Sequence, residues 1–155
     1  MSHNFALLKA HILPLSRSQV FEVARTEWVL DFVEVSDEFD WCPCGQDIKE
    51  HCYIRNTITE HKTYVGNVCV NRFIGIETGN LFDGLKRLKA DPKANPNRAV
   101  IDYAEARGYL YDKEPEFLRA TALKRKLSPK QAAWKEMINR RIVNQTVVQR
   151  RTNRQ

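Results

Sequence analysis

Cys42-Pro43-Cys44-Gly45 is the stretch that decides what kind of fold this chain adopts. Pro43 fixes one backbone dihedral angle and Gly45 permits a left-handed one, so the chain turns tightly here. A turn this tight allows the thiols of Cys42 and Cys44 to converge on one cation. The stretch therefore predicts a knuckle, a short turn that presents two cysteine ligands to a metal ion.

The residues downstream predict a β-hairpin followed by a helix. Residues 53–59 are rich in β-branched and aromatic side chains, residues 60–62 are polar, and residues 63–65 favour a returning strand. Asn67 is placed to cap a helix over residues 68–73, which puts Cys69 in the first turn. A knuckle, a hairpin and a helix in this order predict a treble-clef-like module near residues 38–76.

Four cysteines are the expected ligands of one structural Zn²⁺, which prefers four thiolate or imidazole ligands in a tetrahedron. They are Cys42, Cys44, Cys52 and Cys69. His51 competes with Cys52 for the third position, and only one of the two reaches the metal, because successive strand residues face opposite sides. Cys52 is preferred, since it shares the face of Ile54 and Ile58, which is expected to be the inward one. Cys69 gains from the helix dipole, which stabilises a thiolate near a helix N-terminus.

Two alternatives to a zinc site stay open for these cysteines. Reduced cysteines pack in protein cores as small hydrophobic residues, and the spacing of one, seven and sixteen residues between them is less stereotyped than a pair of CxxC motifs. Disulfides are the weaker alternative. Cys42 and Cys44 cannot easily bond to each other, and the N-terminus does not resemble an export signal.

Several segments carry a resemblance to a known family: Glu27-Trp28, Trp41-Cys-Pro-Cys-Gly45, Cys52-Tyr-Ile-Arg-Asn56, Val65-Gly-Asn-Val-Cys-Val70 with Phe73, and Leu127-Ser-Pro-Lys-Gln131. On these residues the chain resembles small zinc-binding proteins of bacteria, phages and large viruses. The resemblance implies a treble-clef-like zinc fold and a phage or mobile-element origin, and it carries no activity. The common knuckle has two residues between its cysteines, whereas this one has only Pro43.

The sequence before the knuckle predicts one helix. Residues 16–19 (Ser-Arg-Ser-Gln) form a capping box, and Val20, Ala24 and Trp28 lie at helical spacing. The helix is expected to run to about Leu30, with Trp28 in the core. Together with the zinc module it makes up a predicted domain of residues 1–80.

The rest of the chain, residues 81–155, is predicted to be a basic helical region. Its helices are expected over residues 81–90, from residue 95 to Gly108, from residue 114 to the cluster at 124–126, and from the capping box of Ser128 and Gln131 onward. In the last helix, Trp134, Met137, Ile138 and Ile142 share one stripe. The final residues carry arginines without apolar partners, so a mobile tail is expected. The predicted fold class is α+β.

Charge is unevenly distributed along the chain. Residues 1–80 contain 7 Lys and Arg against 11 Asp and Glu, whereas residues 81–155 contain 18 against 8. The net charge of +6 thus originates in the C-terminal half. No apolar run approaches the roughly 18 residues that cross a bilayer, so a cytoplasmic location is expected.

The charge asymmetry predicts non-specific binding of nucleic acid, with DNA favoured over RNA, because basic side chains neutralise phosphates. No aromatic motif typical of RNA-binding sheets is present. The expected phosphate contacts are Lys124, Arg125, Lys126, Lys130, Arg140, Arg150, Arg151 and Arg154. A basic, solvated helix face without any ligand accounts for the same charges.

Two further functions compete with nucleic-acid binding. The first is a protein-interaction module that inhibits or modulates a host protein, since zinc modules bind proteins as readily as nucleic acids. The second is a nuclease, for which His51, His61, Asn67 and Asn71 lie in the relevant region. A zinc site closed by four cysteines leaves no open position for catalysis, so the sequence favours a protein that is not an enzyme.

Overall fold

The computed structural model describes residues 4–149 and shows an α+β protein, as predicted. The chain divides into two units, Met1–Thr78 and Gly79–Gln155, which we call unit 1 and unit 2. Within the described residues, no helix has the length and apolarity needed to cross a membrane.

A three-stranded antiparallel sheet forms the centre of unit 1, in the order β1-β2-β3. The elements of unit 1 are α1 (Phe5–Ile12), a 3₁₀ turn (Leu13–Leu15), α2 (Phe21–Ala24), a second 3₁₀ turn (Arg25–Glu27), β1 (Trp28–Trp41), β2 (Asp47–Asn56), β3 (Lys62–Gly66) and α3 (Asn67–Ile74). Val33, Cys52 and Val65 face one another across the three strands and are each 0% exposed. This face of the sheet is therefore the core face, and the sheet buries one side only.

The predicted helix from Ser16 to about Leu30 is wrong. The Ser16 hydroxyl donates to the carbonyl of Ile12 instead of capping a new helix, and it accepts a hydrogen bond from the Trp28 indole at 2.9 Å. Helix α2 ends at Ala24, and Trp28 begins the long strand β1. The β-branched residues after Trp28 pair with β2 in an antiparallel ladder that is interrupted at two places, and this non-local pairing overrides the local helical spacing. Trp28 is 2% exposed, so its predicted place in the core is confirmed.

Helix α3 also begins differently from the prediction. Gly66, not Asn67, is the N-cap residue, and the Asn67 side chain accepts a hydrogen bond from the Thr78 hydroxyl. Cys69 nevertheless lies in the first turn of the helix, as expected. Helix α1 was not foreseen, although Asn4 supplies a local signal, because its side chain accepts a hydrogen bond from the Leu7 backbone N–H at 3.1 Å.

Glu27 links the segment that precedes α2 to the end of β2. Its carboxylate is 4% exposed and accepts hydrogen bonds from the backbone N–H groups of Arg17 and Ser18, at 2.8 and 3.0 Å, and from the Asn56 side chain at 2.9 Å. Burial by itself would raise the pKa of Glu27. The hydrogen bonds from Asn56, Arg17 and Ser18 outweigh that effect and lower the pKa.

We therefore expect Glu27→Gln to remove part of the pH dependence of unit 1. A carboxylate with a lowered folded pKa stabilises the fold above its ordinary value of 4.5, and this contribution is lost as the pH falls through the folded pKa. At pH 7 the variant should lose about 1.5 to 3 kcal/mol, the range for a hydrogen-bonded charge. Urea unfolding between about pH 2 and pH 7 measures both effects, since the folded pKa lies below 4.5. The exposed Glu22→Gln is the control, and equal pH slopes in wild type and Glu27→Gln would contradict the assignment.

Unit 2 is helical throughout its described part. Its helices are α4 (Gly79–Ala90), α5 (Arg98–Arg107), α6 (Glu114–Ala120) and α7 (Pro129–Val143). Two predicted helix ends are confirmed. Gly108 ends α5 with φ of 81°, and Ser128 and Gln131 form the capping box of α7.

Three details of unit 2 differ from the prediction. Helix α5 begins at Arg98, after the N-cap residue Asn97, and not at residue 95. Helix α6 ends at Ala120, short of the basic cluster, since the Thr121 hydroxyl donates to the Phe117 carbonyl and the Thr121 carbonyl accepts from Lys135. In α7, Ile138 and Ile142 are buried as predicted, but Met137 is 54% exposed. The buried positions beside them belong to Lys135 and Asn139, which are polar and which the hydrophobic stripe did not reveal.

Candidate metal centre and basic groove

The knuckle lies between β1 and β2, where the chain reverses direction. Gly45 adopts φ of 92°, the left-handed conformation that the sequence predicted for it. Its backbone N–H donates to the Cys42 carbonyl at 2.8 Å, and the Cys42 N–H donates to the Gln46 carbonyl at 2.9 Å. These two bonds close the turn and hold the side chains of Cys42 and Cys44 on the same side.

Three cysteines meet at the end of the sheet. The sulfur atoms of Cys42, Cys44 and Cys69 all lie within 4.8 Å of one another, and we call them the thiol cluster. The residues are at most 1% exposed, and none forms a disulfide. The Cys42 and Cys69 sulfurs are 3.8 Å apart, well beyond the roughly 2.05 Å of a disulfide bond. The cluster could therefore hold a metal ion.

The surroundings of Cys42 favour its thiolate. The Cys42 and Cys69 sulfurs share a hydrogen bond at 3.8 Å, and the Gly66 backbone N–H donates to the Cys42 sulfur at 3.3 Å. These hydrogen bonds lower the pKa of Cys42 in spite of burial, whereas the sulfur–sulfur hydrogen bond raises the pKa of Cys69. A metal ion bound at this cluster would take the place of the proton between the two sulfurs.

Gly66 is a part of this site that the sequence analysis did not single out. A Cβ atom at this position would lie 2.9 Å from the Ile48 side chain and 3.7 Å from the Cys42 sulfur. Only glycine leaves room for the β3–α3 junction to pack against the knuckle. The signal in the sequence was the glycine directly before the helix that carries Cys69.

Cys52, the fourth predicted ligand, does not belong to the thiol cluster. It lies on the core face of β2, as predicted, but that face packs it between Val33 and Val65. Burial raises the pKa of the Cys52 thiol to about 12, so it stays protonated. The geometry assigns Cys52 to the hydrophobic core.

His51, the alternative to Cys52, points to the opposite face of the sheet. Its Nε2 atom lies 3.4 Å from the Asp40 carboxylate. The other residues considered for a nuclease have separate partners: His61 contacts the Leu15 carbonyl, Asn67 contacts Thr78, and Asn71 contacts the Ile76 carbonyl. Among the described residues, the thiol cluster is the one group of three or more His, Cys, Asp or Glu side chains at metal-binding distances.

A basic groove is the second candidate site, and it lies entirely in unit 2. Its volume is about 1150 Å³. Six of its lining residues are basic: Arg87, Lys93, Arg98, Lys124, Arg125 and Lys126. None of the described residues that line it is acidic. The groove thus brings three of the sequence-predicted basic residues together with three that the sequence analysis missed.

Buried side chains of α7 support the walls of this groove. Lys135 is 1% exposed and donates to the Asn95 side chain at 2.5 Å and to the Thr121 carbonyl at 3.1 Å. Asn139 is 0% exposed and donates to the carbonyls of Pro92 and Ala94. These bonds tie the loop before α5 and the turn after α6 to the same helix. The spacing between the two walls is therefore held by a polar network in the core of unit 2.

The other predicted basic residues lie elsewhere. Lys130 is exposed in the first turn of α7, and Arg140 forms an ion pair with Glu136 at 3.1 Å. Neither lines the groove. Arg150, Arg151 and Arg154 fall outside the described residues.

Comparison with known proteins finds no relative of this chain. No family model, curated protein or solved structure matches this chain. The fold and the sites therefore define its class by themselves: an α+β protein with a buried thiol cluster able to hold a metal ion and a basic groove in its helical unit.

Proposed function

We propose that this is a small zinc-stabilised protein that binds nucleic acid through the basic groove of unit 2. The observation that carries the proposal is the groove's lining of six cations without an acidic residue. A polyanion gains from such a lining, because each neutralised phosphate releases condensed counterions. The contacts are to phosphates, so binding depends little on base sequence.

The proposed metal is zinc, and its role is structural. A tetrahedral Zn²⁺ ion with zinc–sulfur bonds of about 2.3 Å holds its sulfurs about 3.8 Å apart. The Cys42–Cys69 separation of 3.8 Å agrees with that spacing. Thiolate ligands also favour zinc over harder cations. Knuckle, antiparallel hairpin and helix follow one another in the order of a treble clef, and the thiol cluster supplies three of the four ligands of a tetrahedron.

Burial argues against a catalytic zinc. A catalytic site keeps one coordination position open to water and substrate. Here all three cysteines are at most 1% exposed, so a substrate has no path to the ion. We therefore propose that the protein is not an enzyme and that the zinc module acts as a scaffold.

Charge alone does not make a groove specific for phosphates. The small number of ion pairs among its cations supports phosphate binding. Arg98 lies 3.8 Å from the Asp102 carboxylate. The other five basic residues form no ion pair with any described residue. Unpaired cations on facing walls repel one another, and a phosphate backbone lying between the walls removes that repulsion.

The experiment compares two triple variants with the same change of charge. Lys124→Gln, Arg125→Gln and Lys126→Gln remove three groove cations, whereas Lys113→Gln, Lys130→Gln and Arg140→Gln remove three cations outside the groove. Binding to labelled 20-nucleotide DNA and RNA, single- and double-stranded, is measured from ~50 to ~300 mM salt. The groove variant should bind more weakly, and its log–log salt slope should shrink by about 2 to 3, roughly one per lost phosphate contact.

The matched variant should keep most of the wild-type affinity and slope. An equal loss in both variants would contradict the groove and would assign binding to the overall charge of unit 2. Wild-type protein that binds none of the four probes at ~50 mM salt would contradict the proposed function as a whole.

One observation favours the alternative of a protein-interaction module. Phe39 and Trp41, near the end of β1, are 68% and 58% exposed. Exposed aromatic residues are enriched at protein interfaces. A partner held by these side chains stays bound at high salt, whereas a nucleic acid held by phosphate contacts is released.

A further inference from the structure

The outer face of the sheet in unit 1 has a composition that differs from an ordinary solvated surface. Alternate residues of β2 point away from the core, namely Asp47, Lys49, His51, Tyr53 and Arg55. After the acidic Asp47 these residues are aromatic or basic, and His51 among them is only 3% exposed.

Aromatic rings form a continuous row across the three strands. Phe32 on β1, Tyr53 on β2 and Tyr64 on β3 lie opposite one another, and we call them the aromatic row. Phe32 and Tyr53 stack with their ring centres 4.4 Å apart and their planes at 10°. Tyr53 and Tyr64 are 5.8 Å apart. All three remain partly exposed, and Phe32 lies on the edge strand, so a further flat ring can extend the stack.

Two cations lie beside this row. Arg55 and Lys62 are opposite each other on β2 and β3, two residues from Tyr53 and Tyr64 along their strands, and we call them the cationic pair. Like charges directly opposite one another destabilise a sheet. Neither side chain forms an ion pair or a side-chain hydrogen bond with any described residue. An anion bound from outside relieves this repulsion.

An acidic side chain on the other side of the aromatic row determines where the phosphates of a bound strand can lie. Glu34 lies opposite His51 on the far side of the aromatic row and is exposed. A phosphate is repelled there and attracted to the cationic pair, which is about 7 Å from the aromatic row, two residues along the strand. Aromatic rings for bases and adjacent cations for phosphates are the components of surfaces that bind unpaired nucleic-acid strands.

We propose that the aromatic row and the cationic pair bind an unpaired stretch of DNA or RNA, with a base stacked on the outer face of Phe32 at the sheet edge and the backbone on Arg55 and Lys62. This inference rests on the proposed function and adds its substrate class. A duplex hides its base faces within its own stack, so the aromatic row selects single strands over double strands. Stacking accepts any base, and the selection is therefore for strandedness, not for sequence.

The test uses the full chain and two labelled probes, a 20-nucleotide oligothymidylate and a 20-base-pair duplex. Phe32→Leu should lower affinity for the single strand between about 5-fold and 100-fold, the range for one stacked base, and should leave the duplex affinity unchanged. Arg55→Gln with Lys62→Gln should lower single-strand affinity and reduce its salt slope by about 1.4, roughly 0.7 per phosphate.

A control variant loses the same charge elsewhere in unit 1: Lys9→Gln with Arg72→Gln, on α1 and α3. Thermal melting separates folding from binding, because removing the cationic pair relieves repulsion and should not lower the melting temperature. Equal losses for single strand and duplex, or unchanged single-strand binding in both test variants, would overturn the inference. These outcomes can be told apart from the one that would contradict the proposed function, which is that wild-type protein binds neither probe.

Discussion

Cys42→Ser is expected to abolish binding of the proposed zinc ion and to unfold unit 1. The Cys42 sulfur lies at the centre of the thiol cluster, 3.8 Å from the Cys69 sulfur and 3.3 Å from the Gly66 N–H group. A serine oxygen is a poor zinc ligand. Structural zinc contributes about 10 to 16 kcal/mol of apparent binding free energy, which is as large as the whole stability of a typical domain.

The first measurement is the metal content per chain, determined by elemental mass spectrometry. The second is amide hydrogen exchange of β2, β3 and α3. Wild-type protein purified with zinc should hold one ion per chain, and Cys42→Ser should hold less than about a tenth of that amount. Amides in the three elements should lose their protection in the variant, because the metal joins the knuckle to α3.

Cys52→Ala is the matched control, since Cys52 is equally buried and lies outside the cluster. It should keep one metal ion per chain and lose about 1 kcal/mol, as expected for a small cavity in the core. Loss of metal from Cys52→Ala would restore the four-cysteine site that the sequence predicted. Full metal content in Cys42→Ser would show that the cluster is only part of the core.

The second large effect is expected in unit 2. Glu114→Ala should destabilise this unit by about 3 to 5 kcal/mol, the cost of breaking a buried ion pair. The Glu114 carboxylate is 3% exposed and accepts hydrogen bonds from the Tyr111 N–H at 2.8 Å, the Trp134 indole at 3.0 Å and the Arg141 guanidinium at 2.5 Å. Removing it leaves the Arg141 charge without its partner in a largely buried position.

Hydrogen exchange of the amides in α6 and α7 measures this change in stability. Glu136→Ala is the control, because its ion pair with Arg140 joins adjacent turns of one helix on the surface and is worth less than about 1 kcal/mol. Arg141→Met should also destabilise unit 2, since it leaves the buried Glu114 carboxylate without its cation. A loss below about 1 kcal/mol in Glu114→Ala would contradict the assigned role.

The sequence predicted the features that depend on neighbouring residues. The Cys42–Gly45 turn requires only a proline, a glycine and their own dihedral angles. The capping box of α7 needs residues three positions apart, and the end of α5 needs a glycine with positive φ. The association of Cys69 with the knuckle was also predictable, because the hairpin between them is short and its turn is marked by polar residues.

Features that depend on distant residues were not predictable in this way. Strand β1 carries a helical spacing at its start, and only its ladder with β2 makes it a strand. Cys52 has the chemistry of a ligand, and the register with Val33 and Val65 places it in the core instead. The alternation of β2 correctly separated Cys52 from His51, yet it carries no information about which face lies nearest to the knuckle.

By itself, the sequence determined the α+β class, the knuckle with its neighbouring helix, and the concentration of positive charge in the C-terminal half. Only the tertiary structure decided which cysteines meet, which cations line one groove, and which aromatic rings share one face of the sheet. The physical reason is that turns and caps are satisfied by hydrogen bonds within a few residues. The composition of a site, in contrast, follows from strand register and helix packing, which bring together residues far apart in the chain.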